Sequence, residues 1–100
     1  MIAFLKKLFG GGPSVNMKQL SEKGAVMIDV RTVAEFKTGH INDALNIPLD
    51  SVGKQIHMIK KINKPVIAVC RSGNRSAGAL NILKKAGFEA YNGGAWEILK

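Results

Sequence analysis

A single cysteine, Cys70, opens the run Cys70-Arg71-Ser72-Gly73-Asn74-Arg75-Ser76, which follows the apolar stretch Pro65 to Val69 and leads into the helix-like run Ala77 to Ala86. The thiol thus falls at a strand-to-helix turn. In the first turn of a helix the amide hydrogens lack internal partners and the macrodipole is positive, so a short loop there can wrap its N–H groups around an anion. A thiolate is such an anion. Free cysteine titrates near ~8.5, and helix N-termini flanked by arginine lower it to roughly 3.5–7.5, where the nucleophilic form prevails at neutral pH. Ser72, Gly73 and Asn74 permit the backbone angles of an anion nest, and Arg71 and Arg75 add positive charge on both sides. Cys70 is therefore a candidate nucleophile with residues 71–76 as its binding loop; the alternative is a core cysteine ending a strand with no chemical role.

The elements needed to position this loop can be read along the chain. Asn16 can cap a short helix through Lys23 that stops at Gly24, and Ala25 to Val30 reads as a buried strand. Thr32 and Glu35 form a capping-box pair for a helix ended by Gly39. Ala44 to Pro48 looks extended, and Val52, Ile56 and Ile59 share one helical face that ends in Lys60 and Lys61. A strand over Val66 to Val69 precedes the cysteine loop. Ala79, Leu80, Ile82, Leu83 and Ala86 form the next helical core face, Gly87 closes it, and Phe88 to Tyr91 can form a last strand before Gly93-Gly94. Strands alternating with helices imply an α/β fold with a parallel sheet covered on both faces. Ligands of such sheets gather at the carboxyl ends of the strands, where Cys70 lies at one end and Asp29 and Arg31 at another.

The chain has 100 residues, enough for one domain, and carries a formal charge of +8 from 15 Lys and Arg against 7 Asp and Glu. That balance favours anionic partners. The lysines are spread out, without the dense runs and interleaved aromatics of single-strand binders, so small anions are expected and nucleic acid is not. One cysteine excludes a disulfide within the chain and any C-x-x-C pattern, and suggests a reducing, cytoplasmic setting. His40 and His57 have no ligand partners at metal spacing, so neither a metal nor another cofactor is expected. Residues 1–9 are apolar apart from Lys6 and Lys7, and Gly10-Gly11-Gly12-Pro13 breaks the pattern. Nine residues are too few to span a bilayer, which takes about 20, and no cleavage site of a secretory signal follows. Residues 1–13 are thus an apolar segment with a glycine-rich linker, its helix frayed or self-packed, or else resting on a membrane surface or partner, and residues 14–100 form the domain.

In its arrangement of motifs the chain resembles the single-domain rhodanese-like sulfurtransferases. The resemblance runs through Ile28-Asp29-Val30-Arg31, Glu35-Phe36, Gly39-His40-Ile41, Ala44, Asn46-Ile47-Pro48, the Cys70 to Ser76 loop, Gly87-Phe88, Gly93-Gly94 and Trp96. It implies a rhodanese-like parallel sheet of about five strands with helices on both faces. It further implies that Cys70 takes the sulfane sulfur of thiosulfate or a similar anionic donor as a persulfide, and that cyanide, a thiol or a sulfur-accepting protein then removes it. On the same grounds Arg71 would attract the donor, Arg75 would brace the loop, and Asp29 and Arg31 would hold the sheet edge beside it. Phosphatases of the cell-cycle type and arsenate reductases have a similar architecture, but their loops place arginine after five intervening residues, and position 76 here is serine. A non-catalytic rhodanese-like binding module is the remaining alternative, which the presence of the cysteine disfavours.

Overall fold

The structure, a computed structural model, describes residues 16–100, so the apolar segment and linker read at residues 1–13 lie outside the described residues. Helix α1 (Met17–Glu22) starts at Asn16, whose side chain accepts a hydrogen bond from the Gln19 amide. Strand β1 (Val26–Asp29) follows, then helix α2 (Val33–Lys37), where Thr32 and Glu35 close the anticipated capping box. The short strand β2 (Leu45–Asn46) leads to helix α3 (Leu49–Val52), a single 3-10 turn (Gly53–Gln55) and helix α4 (Ile56–Ile62). Strand β3 (Val66–Cys70) runs into helix α5 (Asn74–Lys85), and strand β4 (Ala90–Ala95) into helix α6 (Trp96–Leu99).

The four strands described form one sheet in the order β2-β1-β3-β4, and every pairing is parallel. This is the expected α/β architecture. Strand β3 is central and buried from end to end, as the unbroken apolar run Val66 to Val69 requires of a strand covered on both faces. Its side chains alternate between two cores. Val66, Ala68 and Cys70 join Ile28, Val30, Ala79 and Leu83 beneath α3, α4 and α5, whereas Ile67 and Val69 join Met27 on the other face, under Met17 and Leu20 of α1 and Trp96 and Leu99 of α6. The period of two therefore aims Cys70 at the face carrying α5, the helix whose first turn follows the cysteine in sequence.

Strand β4 begins and ends later than Phe88 to Tyr91, because Gly93 and Gly94 lie inside it. Ala68 pairs with Asn92 but Val69 pairs with Gly94, so Gly93 is an extra residue in the ladder, a bulge. Glycine is needed there for space: a Cβ on Gly93 would sit 2.8 Å from both Ile67 Cγ2 and Val69 Cγ1. The register leaves Asn92 beside Ala68, on the same face as Cys70.

Candidate active site

Cys70 is the last residue of β3 and has no exposed surface. The chain turns at once into α5 through Gly73, whose φ of +102° is a conformation that side chains disfavour. This turn aims backbone hydrogens at the sulfur. The Gly73 amide donates to Cys70 Sγ at 2.9 Å and the Ser76 amide at 3.4 Å, while the Ser76 hydroxyl lies 3.4 Å from the same atom. Burial pushes the thiol up, but the Ser76 hydroxyl and the amides of Ser76, Gly73 and Ser72 outweigh it, so Cys70 titrates below its ordinary value. The arrangement is an anion nest with a sulfur atom inside it.

The two loop arginines occupy different surroundings. Arg75 makes a two-pronged pair with Glu35, Nη1 to Oε1 at 2.7 Å and Nη2 to Oε2 at 3.0 Å. Glu35 also accepts from the Thr32 amide at 3.0 Å, so one carboxylate joins the start of α2 to the first turn of α5. The Arg75 hydrogen bond, followed by that of the Thr32 backbone, holds the Glu35 carboxyl down to about 2. Arg71 is exposed and, among the described residues, forms no ion pair. It lines a cavity of about 230 Å³ together with Arg31, Glu35, Thr38, Trp96 and Glu97. Ser72 and Asn74 are exposed, and Asn74 begins α5.

Asp29 and Arg31 sit at the end of β1 as a buried ion pair, with Nη2 to Oδ2 at 2.7 Å. The Arg31 guanidinium also donates to the backbone oxygens of Glu35 at 3.2 Å and Gly39 at 2.7 Å, and stacks 4.4 Å from the Trp96 ring. It ties the middle of α2 and the turn that follows it to the sheet, in keeping with a supporting position rather than contact with the sulfur. Asn46 reinforces the same edge by donating to the backbone oxygens of Asp29 and Arg31.

Two participants were not among the residues singled out from sequence for this site. The sequence marks Glu35 as a helix-capping residue and as part of the family's pattern, with no role at the loop. Asn92 accepts the Ser76 hydroxyl at 2.7 Å and the Gly94 amide at 2.8 Å, and donates to the Gly73 backbone oxygen at 3.2 Å. The Asn-Gly-Gly run reads locally as a turn, and only the register of β4 brings it to the loop. Among the described residues no group of three or more His, Cys, Asp or Glu could hold a metal ion, and no helix is long and apolar enough to cross a membrane.

Comparison with known proteins agrees with this architecture. Residues 14–97 match the model of the rhodanese-like domain. A protein named thiosulfate sulfurtransferase GlpE from Pseudomonas savastanoi is 34% identical over 76 residues, covering 76% of this chain and 71% of its own length. Among solved structures, a rhodanese with anions from E. coli superimposes with a TM-score of 0.69 at 29% identity, over 74% of this chain and 89% of that one. A rhodanese-like domain protein from Staphylococcus aureus gives a TM-score of 0.64 at 30% identity, over 93% of this chain and 83% of that one. With the sheet order, the buried cysteine at the end of β3 and the amide nest around it, these matches place the chain in the rhodanese-like domain family.

Proposed function

We propose that the protein is a sulfurtransferase in which Cys70 carries sulfane sulfur as a persulfide. The observation that supports this most is the convergence of the Gly73 amide, the Ser76 amide and the Ser76 hydroxyl on one buried sulfur. The two amides, fixed around a sulfur that is anionic before the attack and again once the transferred sulfur has left, stabilise that charge without reorganisation. The name borne by the Pseudomonas relative points to the same chemistry.

In the first step the Cys70 thiolate attacks the outer sulfur of thiosulfate. A sulfur–sulfur bond forms to Cys70, the bond within thiosulfate breaks, and sulfite departs with the electron pair. The charge moves to the terminal persulfide sulfur. Arg71, exposed beside the nest and without a partner among the described residues, draws in the sulfonate end of the donor. Arg75, held by Glu35, keeps the first turn of α5 in place, and Asp29 and Arg31 hold the neighbouring edge. In the second step cyanide or a thiolate attacks the terminal sulfur and returns Cys70 to its thiolate. Because the chain has one cysteine, the sulfur passes to another molecule rather than to a resolving thiol of the chain. Phosphoryl transfer is disfavoured: Arg75 faces Glu35, and position 76 offers a buried serine in place of a guanidinium.

Intact-mass measurement after thiosulfate treatment tests the proposal. The protein is expected to gain one sulfur atom, to lose it to cyanide with thiocyanate as product, and to gain none as Cys70→Ser. Wild-type protein that stays unmodified refutes sulfur transfer.

A further inference from the structure

The mechanism above leaves Asn92 without a task, although its side chain is committed on every side. Its Oδ1 accepts from Ser76 Oγ at 2.7 Å and from the Gly94 amide at 2.8 Å, and its Nδ2 donates to the Gly73 backbone oxygen at 3.2 Å. The orientation of the side-chain amide is fixed by these partners, since a backbone N–H can only donate and a carbonyl can only accept. Ser76 has one hydroxyl proton, and the geometry gives it to Asn92. While it remains there, the serine oxygen turns lone pairs toward Cys70 Sγ at 3.4 Å, which suits an S–H and opposes a thiolate. When the hydroxyl rotates to the sulfur, Asn92 Oδ1 keeps its bond from Gly94, so no buried acceptor is left unpaired.

We propose that Asn92 is a positioning residue that competes with Cys70 for the Ser76 hydroxyl proton, holding it off the resting thiol and releasing it when the sulfur is anionic. Its use in turnover rests on the sulfur-transfer reading, but the choice made by the hydroxyl can be observed without any sulfur donor. The surrounding charges belong to other elements. Arg71 and Arg75 flank the sulfur from the loop and α5, Asp29 and Arg31 pair at the end of β1, and Glu35 of α2 faces Arg75. From β4, Tyr91 is in register with Ile67, on the opposite face from Cys70, and bonds to Glu89.

The test follows the pH dependence of iodoacetamide alkylation in the full chain, read by intact mass; the lone cysteine makes the midpoint that of Cys70. Asn92→Ala frees the hydroxyl to donate to the thiolate, and the midpoint is expected to fall by about half a unit to one unit, the scale of one ordinary hydrogen bond. Asn92→Asp retains an acceptor, adds negative charge, and is expected to raise the midpoint. In a Ser76→Ala background the fall caused by Asn92→Ala is expected to vanish, because the proton in contention is gone. Both Asn92 variants lose the bond to Gly73, so a residue that merely braces the loop would shift the midpoint in one direction in both. A midpoint that rises or stays fixed in Asn92→Ala, or a fall that persists without Ser76, overturns the proposal. Asn92→Leu, closer to asparagine in volume, supplies the same comparison if the alanine variant does not fold. Wild type that takes no sulfur from thiosulfate would refute the transfer reaction and leave this titration standing.

Discussion

Replacing Asp29 by alanine isolates what the buried edge of the sheet contributes. The Asp29 carboxylate has no exposed surface and receives the Arg31 amide at 3.0 Å, Arg31 Nε at 2.9 and 3.1 Å, and Nη2 at 2.7 Å. Arg31, with its side chain 4% exposed, has little access to water to replace the carboxylate. The carbonyls of Glu35 and Gly39 and the Trp96 ring remain as partners, but none bears a counter-charge. The small energies of surface ion pairs, about 0–1 kcal/mol, therefore do not apply. Stranding one member of a buried pair costs about 3–5 kcal/mol, a large part of the roughly 5–15 kcal/mol that holds a domain folded. Each kcal/mol shifts the melting temperature of a domain this size by about 4–8 °C, so a fall of roughly 12–40 °C is expected. Urea unfolding followed by the fluorescence of the single tryptophan measures the loss directly. The double variant Asp29→Leu with Arg31→Met, which removes both charges, should recover most of it. A loss below about 1 kcal/mol in Asp29→Ala, outside the range for a buried pair, or a double variant no better than the single, would refute the reasoning.

Two further outcomes follow from steric and electrostatic detail. Gly93→Ala should lose about 1–3 kcal/mol, because the new Cβ would meet Ile67 and Val69 at 2.8 Å and both are fully buried in the central strand; Gly53→Ala, which meets nothing within 4 Å, serves as the control, and equal denaturation midpoints for the two would contradict this account. The Glu35 carboxyl is lowered from its ordinary 4.5 to about 2, so its contribution is present above pH 4.5 and is lost as pH falls toward about 2. The stability difference between wild type and Glu35→Gln should accordingly narrow through that window in a pH series of urea titrations, and a difference that is constant with pH would exclude the pairing.

The cysteine loop was legible because its chemistry is local. A strand, a glycine and a helix start follow one another within a few residues, and the amides must then face the sulfur. The Thr32–Glu35 capping box was legible for the same reason, being a contact three residues long. The second partner of Glu35 was not, since Arg75 meets it only after β1 and β3 have paired. Asn92 was hidden more thoroughly. Glycine is disfavoured inside strands, so Gly93-Gly94 reads as the end of an element, whereas packing against Ile67 and Val69 makes a missing side chain the condition for the strand to continue. The position of that bulge decides which face Asn92 takes, and no local pattern encodes it.

The all-parallel order of the sheet also governs when the thiol becomes reactive during folding. Val26 pairs with Val66, and Val66 in turn with Ala90, so neither central pairing can form as a hairpin and both must close long loops before any ladder bond is gained. The Asn92 contacts with Gly73 and Ser76 form only when β4 pairs with β3. Until β3 and α5 have packed, the loop amides have no fixed direction and the thiol keeps the sluggish character of cysteine in an unfolded chain, with a pKa near ~8.5. Completion of the fold thus acts as the trigger that arms the sulfur, and a newly made or damaged chain carries a comparatively inert thiol.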